Sequence, residues 1–155
     1  MRRVTKIGLF ASALMLTLTG AATGTATAQP DTATRAAAGD TAYFEVASDH
    51  NNRDTWVIKL TKPEEIQHAR DLASGSTTER PHILGRIDKR PAPYNPRWSY
   101  NLRPETISFF DYAIEVCDAH PAYVEDHLDE AGGAFLPGLV WCPWSSHITK
   151  EIPAP

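Results

Sequence analysis

Any chemistry in this 155-residue chain has to come from six His, nineteen acidic side chains, two Cys and scattered hydroxyls. Asp111 and Glu115 fall on the same face of an expected strand. Four strand residues span about 13 Å, too far for the 5–9.5 Å that paired glycosidase carboxylates need. His127 and Glu130 stand one helical turn apart and could share a zinc ion with His120 or Asp126. No HExxH or comparable spacing frames them, so no metal or other cofactor is expected. The segment 49–54 (DHNNRD) is rich in oxygen donors but lacks the glycine and distal Glu of a calcium loop, and reads as a turn. Ser145, Ser146 and His147 are adjacent, which does not arrange a Ser and a His as a triad does. There is no Gly-x-Ser-x-Gly and no glycine-rich phosphate loop. No catalytic residue is therefore assigned.

Aromatic residues are the stronger signal. Tyr94, Trp98, Tyr100, Trp141 and Trp144 cluster around prolines. Residues 90–98 (RPAPYNPRW) hold three prolines, which fix an extended, stiff connection. Such a loop loses little freedom on binding. Tyr94 and Arg97 are expected on its exposed side, as the residue types that anchor interfaces, with Trp98 turned into the core. Asn101, on the strand that follows, completes the expected binding set of Tyr94, Arg97, Trp98 and Asn101. Trp141 and Trp144 are expected to pack over a disulfide.

The chain's destination decides the cysteines. Arg2, Arg3 and Lys6 precede an uncharged stretch from 7 to 22, and Ala26-Thr27-Ala28 offers small residues for a signal peptidase. This predicts a signal peptide at 1–28, a disordered leader at 29–41, one domain at 42–151 and a tail at 152–155, secreted with no membrane span after processing. In an oxidising compartment Cys117 and Cys142 are expected to pair, which stabilises the fold by about 3 kcal/mol. Without the signal, 12 basic residues face 19 acidic ones, a net charge of −7 with no general attraction for nucleic acid. The charge is uneven: six basic residues between 80 and 103 meet only Asp88, and seven acidic residues between 111 and 130 meet no Lys or Arg. These runs are expected to form two solvated faces that attract each other.

The elements that must position these groups follow from periodicity. Residues 43–47 and 55–60 alternate as strands joined by the turn 48–54. A capping box at 61–64 starts a helix carrying Ile66, Ala69, Leu72 and Ala73, which Gly75 ends. Strands are expected at 82–88, 98–103 and 107–117, the last the strongest. A second helix at 121–131 precedes a short segment, 139–142, that returns to the sheet. The fold class is α+β: a mostly antiparallel sheet of about five strands, two helices and one disulfide.

Ala92-Pro93-Tyr94-Asn95-Pro96-x-Trp98-Ser99-Tyr100, Thr106-Ile107-Ser108-Phe109-Phe110-Asp111, Ala113-Ile114-Glu115-Val116-Cys117-Asp118, Tyr123-Val124-Glu125 and Trp141-Cys142-Pro143-Trp144 occur in this order. As a set they resemble the N-terminal domain of a eukaryotic calmodulin-binding protein and its secreted bacterial relatives, over residues 42–151. The resemblance implies no established reaction. Family members often carry His and Asp where Asn101 and Arg103 stand here. The name implies calmodulin as a partner, but a calmodulin target is a basic amphipathic helix and both expected helices are acidic. The sequence reads as an exported, non-catalytic binding module for an extracellular protein or glycan. The alternative is a secreted hydrolase using His120 or His127 with Asp118, Asp126 or Glu130, with or without a metal.

Overall fold

A computed structural model describes residues 41–49, 53–112 and 115–155. The expected signal peptide, nearly all of the leader, residues 50–52 of the first turn, and Ala113 and Ile114 lie outside the described residues.

Strands β1 (Ala42–Ser48) and β2 (Thr55–Leu60) form the expected antiparallel hairpin, with Val46 opposite Trp56 and Ala42 opposite Leu60. Alternation buries Phe44 and Val46 of β1 and Trp56, Ile58 and Leu60 of β2. Helix α1 (Pro63–Ser74) places Ile66 and Ala69 on this layer and ends as expected at Gly75, whose φ of 72° suits a residue without Cβ. Its start differs from the capping box: Lys62 is the N-cap, no side chain caps the turn, and the Lys62 ammonium instead donates to the Ile107 carbonyl at 2.9 Å.

Strand β3 (His82–Asp88) organises a second sheet. It pairs antiparallel with β4 (Asn101–Leu102) and β5 (Ser108–Phe110), and through Gly85 and Arg86 with β8 (Val140–Trp141). The expected strand at 107–117 is cut to three residues, and its partner explains why. Phe110 lies opposite His82, so the next residue would face Pro81, which has no N–H to donate. Asp111 bends away, Tyr112 is 93% exposed, and a 3-10 turn at Glu115–Cys117 leads into the disulfide. The strand at 98–103 likewise shrinks to Asn101–Leu102, although Trp98, Tyr100 and Leu102 are all buried, as alternation required.

Helix α2 runs only Pro121–Asp126 rather than to 131. The extra turns would stack Glu125 on Asp129 and Asp126 on Glu130 at the negative end of a helix that has no basic residue there. The chain turns instead into β6 (Ala131–Gly132) and β7 (Phe135–Pro137), a short parallel pair. Strand β9 (Ser146–Ile152) lies beyond the elements that periodicity predicts. It pairs antiparallel with β1, so the first sheet has the order β2-β1-β9 and the domain extends past residue 151. The fold is α+β with antiparallel main sheets, and the described residues form two α-helices and nine strands divided among three sheets.

Cys117 and Cys142 are joined, with Cα atoms 5.2 Å apart, and the Cys142 amide also donates to the Cys117 carbonyl. Trp141, the neighbour of Cys142 in the chain, is a core residue. It is fully buried, 5.3 Å from Trp56 and 5.5 Å from Tyr100 between ring centroids, and its indole N–H donates to the Ala119 carbonyl. No helix among the described residues is long and apolar enough to cross a membrane.

Candidate functional site

The proline loop is fastened to the sheet. Buried Asn95 holds β2 as a strand would: its side-chain carbonyl accepts the Val57 N–H and its amide donates to the Val57 carbonyl, both at 2.6 Å. Trp98 is buried as expected and donates its indole N–H to the Thr55 carbonyl. Tyr94 is half-buried rather than exposed, packed 5.3 Å from Tyr43, with its hydroxyl donating to Asn101 Oδ1. Burial there raises the Tyr94 pKa, with Tyr43 and Asp88 adding to the shift. Asn101 also donates to the Arg90 carbonyl. Arg97 is exposed, but its guanidinium donates to the Arg53 carbonyl and to Asp54 Oδ1 and lies 4.8 Å above the Trp98 ring. The expected binding set is therefore internally engaged, with Arg97 its most accessible member.

The basic and acidic runs do not pair as faces. Among the described residues no ion pair joins them: Arg97 takes Asp54, Arg90 takes Asp88, and Glu125 accepts the Ser99 amide. Lys89 reaches only the backbone carbonyl of Asp129.

The histidines expected for hydrolysis sit in different settings. His120 Nε2 lies 3.3 Å from both Ser48 Oγ and Asp54 Oδ2, while its Nδ1 accepts the Ala122 amide at the start of α2. These are the residue types of a triad in the wrong geometry. A triad needs the carboxylate on one ring nitrogen and the serine on the other. Here both press on Nε2, and with Nδ1 used as an acceptor the neutral ring carries its proton on Nε2, where a base toward Ser48 needs a lone pair. Ser48 is also 1% exposed. The trio ties β1, β2 and α2 together. Asp118 accepts the Trp144 amide and, with His120 and Ser145, lines a small cavity of about 230 Å³. His127 stacks on Tyr123 at 3.9 Å and donates Nδ1–H to the Tyr123 carbonyl. No three His, Cys, Asp or Glu groups among the described residues are placed to share a metal ion. Asp111 lies in the exposed bend after β5, and the Glu115 side chain lies outside the described residues.

The larger concavity lies elsewhere. Segment 140–152 pairs with β3 through β8, breaks at Pro143, then joins β1 as β9. The fork left between β3 and β9, closed by the end of α1 and residues 75–81, is a groove of about 670 Å³. Its apolar lining comes from Leu72, Ile83, Phe109 and Ile148. On one wall Trp144 stacks on His82, with centroids 4.7 Å apart and planes 24° apart, and Phe110 packs edge-on against Trp144. His82 donates Nδ1–H to the Trp144 carbonyl, fixing that stack. The buried Trp144 indole N–H has no partner among the described residues. Polar groups sit along the lining: Thr77 and Thr78, Glu79 within 3.2 Å of the His68 ring, the His147–Asp49 pair at 2.5 Å, and Arg80. Apolar walls with a few convergent polar groups, at this volume, are what small-ligand and peptide sites share.

Composition and periodicity do not single out this groove. Trp144 stands out by residue type, but its role depends on β9, and residues 75–81 carry no periodic signal. Repeated apolar positions at Ile148 and Ile152 are the available sign of β9.

These features define a disulfide-closed α+β domain with an aromatic, mixed-charge groove. The chain belongs to the family of the BP-74 N-terminal domain, whose model matches residues 40–155. It matches no curated protein and no solved structure at a significant level.

Proposed function

We propose that this protein is a secreted, non-catalytic binding module that recognises an extracellular protein or glycan through the groove between β3 and β9. The observation that carries the reading is the groove itself: about 670 Å³ with a Trp144–His82 wall and charged groups beside it. The leader residues support export, and a buried disulfide suits an oxidising compartment. Among the described residues, the contacts of His120 and His127 do not form a base-and-nucleophile arrangement. The proline loop contributes by stiffening β2, and Arg97 is its contact of second rank, since two of its donors are already used.

The test is retention of extracellular proteins and cell-surface glycans on the immobilised protein, comparing wild type with Thr78→Arg/Arg80→Glu. Both positions are exposed, so folding should be unchanged. The double substitution should abolish retention that Tyr94→Ala/Arg97→Ala only weakens. Equal retention by wild type and the groove variant refutes the reading.

A further inference from the structure

Among the described residues strand β9 lies at the edge of its sheet, and half of that edge opens into the groove. Asp49 donates its amide to the Ser145 carbonyl, and the register continues through Ser48 opposite Ser146, Ala47 opposite His147 and Val46 opposite Ile148. In an antiparallel ladder, bonded pairs alternate with non-bonded pairs. Asp49–Ser145 is a bonded pair, so Ala47–His147 is the next. Ser146 and Ile148 then turn their N–H and C=O groups away from β1. No turn or side-chain bond reaches those groups among the described residues. Yet Ser146 is 6% and Ile148 8% exposed, and both line the groove. Buried backbone groups are almost always paired, so this edge is built to receive partners from whatever fills the cavity.

The remaining lining says what kind of partner fits. Residues 146–148 offer an edge of about 10 Å, the length of a three-residue strand. Ile83, Phe109 and Trp144 supply apolar contact for the alternate side chains of such a strand. The charges are unequal in availability. Glu79 is beside His68 and Asp49 is held by His147, whereas Arg80 is exposed and makes no ion pair among the described residues. Arg80 is thus the Lys or Arg side chain of the lining, and its guanidinium donors stay open to an anionic group.

Resting on the groove reading above, we propose that the ligand is an extended peptide segment of another protein. It adds as a strand to β9 at Ser146–Ile148, with an apolar side chain against Trp144 and Phe109 and a carboxylate, from an acidic residue or a chain end, at Arg80. Main-chain bonds supply affinity, and the apolar wall and Arg80 supply selectivity, as in other strand additions.

The probe is an array of synthetic pentapeptides that alternate Val, Ile or Phe with polar residues and carry Asp at one end. Each is paired with a version N-methylated at a central amide and with one in which Asn replaces Asp. Chito-oligosaccharides form a parallel set, and binding is followed by amide resonances of the isotope-labelled, disulfide-intact protein. A subset of peptides should shift the Ser146 and Ile148 amides. N-methylation should weaken those peptides at least about tenfold, the loss of one or two main-chain bonds. Arg80→Ala should weaken the Asp peptides several-fold and leave the Asn versions unchanged. Peptide binding insensitive to N-methylation overturns the inference. Oligosaccharides that shift Trp144 and His82 while no peptide does so also overturn it, but leave the groove as a recognition site. No groove shift with either set overturns both.

Discussion

Replacing Asn95 tests whether the proline loop is a structural clamp on β2. Its amide makes two 2.6 Å bonds to Val57, from a side chain that is 4% exposed. Asn95→Ala strands a donor and an acceptor together. A fully buried orphan costs about 1–3 kcal/mol, and Val57 is only half-buried, so the summed loss should be about 2–4 kcal/mol. In urea that is a midpoint lowered by about 1 M or more. Asn95→Asp separates the two bonds. An ionised carboxylate still accepts the Val57 N–H but opposes the Val57 carbonyl, whereas a protonated one can donate to it. The introduced group therefore has a native pKa raised above its unfolded value of about 3.9. A raised pKa gives stability that is present below the unfolded value and lost as pH rises through the native one. Measured against wild type at each pH, Asn95→Asp should be less destabilised at pH 4 than at pH 7. An equal deficit at both pH values, or a loss under 0.5 kcal/mol for Asn95→Ala (roughly the noise of a surface substitution), would refute the clamp.

Three further outcomes follow from single observations. Cys117→Ala/Cys142→Ala opens a bridge with a sequence separation of 25 residues, and the chain-entropy relation gives a loss of about 3.5 kcal/mol by denaturant titration; an unchanged midpoint would contradict it. Gly85→Val should destabilise by about 1–3 kcal/mol, because even a Cβ there would sit 3.1 Å from the Leu102 methyls; a neutral result would show that the β3 layer is loosely packed. The paired bonds from Arg70 hold the Glu151 carboxyl below its usual range. Its stabilisation is thus present above the unfolded pKa and lost as pH falls through the lowered native one, amounting to less than about 1 kcal/mol for so exposed a pair. Arg70→Gln should raise the Glu151 pKa in an NMR titration, and no change would mean the pair is absent in solution.

What is legible in the sequence is what local patterns encode. The β1–β2 hairpin, β3 and the Gly75 stop follow from alternation and from one left-handed position, and the disulfide from two cysteines with no competitor. The strand errors have one source, which is that a strand needs a partner. Residues 107–117 alternate well, but β3 begins after Pro81 and offers nothing to pair beyond Phe110. Residues 146–152 alternate less clearly, yet β1 is waiting for them. Asn95 falls in what reads only as a stiff proline connection and acts as a piece of strand edge, a role fixed by Val57, 38 positions away. The groove depends on chain segments that diverge only once β8 and β9 have joined different sheets, and no spacing rule reports such a fork. The expected binding residues are chosen for type, and the fold uses most of that chemistry internally.

The central claim, that recognition occurs in the fork between β3 and β9, is tested most directly by site-specific photo-crosslinking on the producing cells. A benzophenone side chain would be placed at Thr78 beside the groove, at Arg97 on the proline loop, and at Lys59 on β2 as a control. The account predicts a discrete covalent adduct from Thr78, a weaker one or none from Arg97, and none from Lys59. An adduct from Arg97 with none from Thr78 would contradict it.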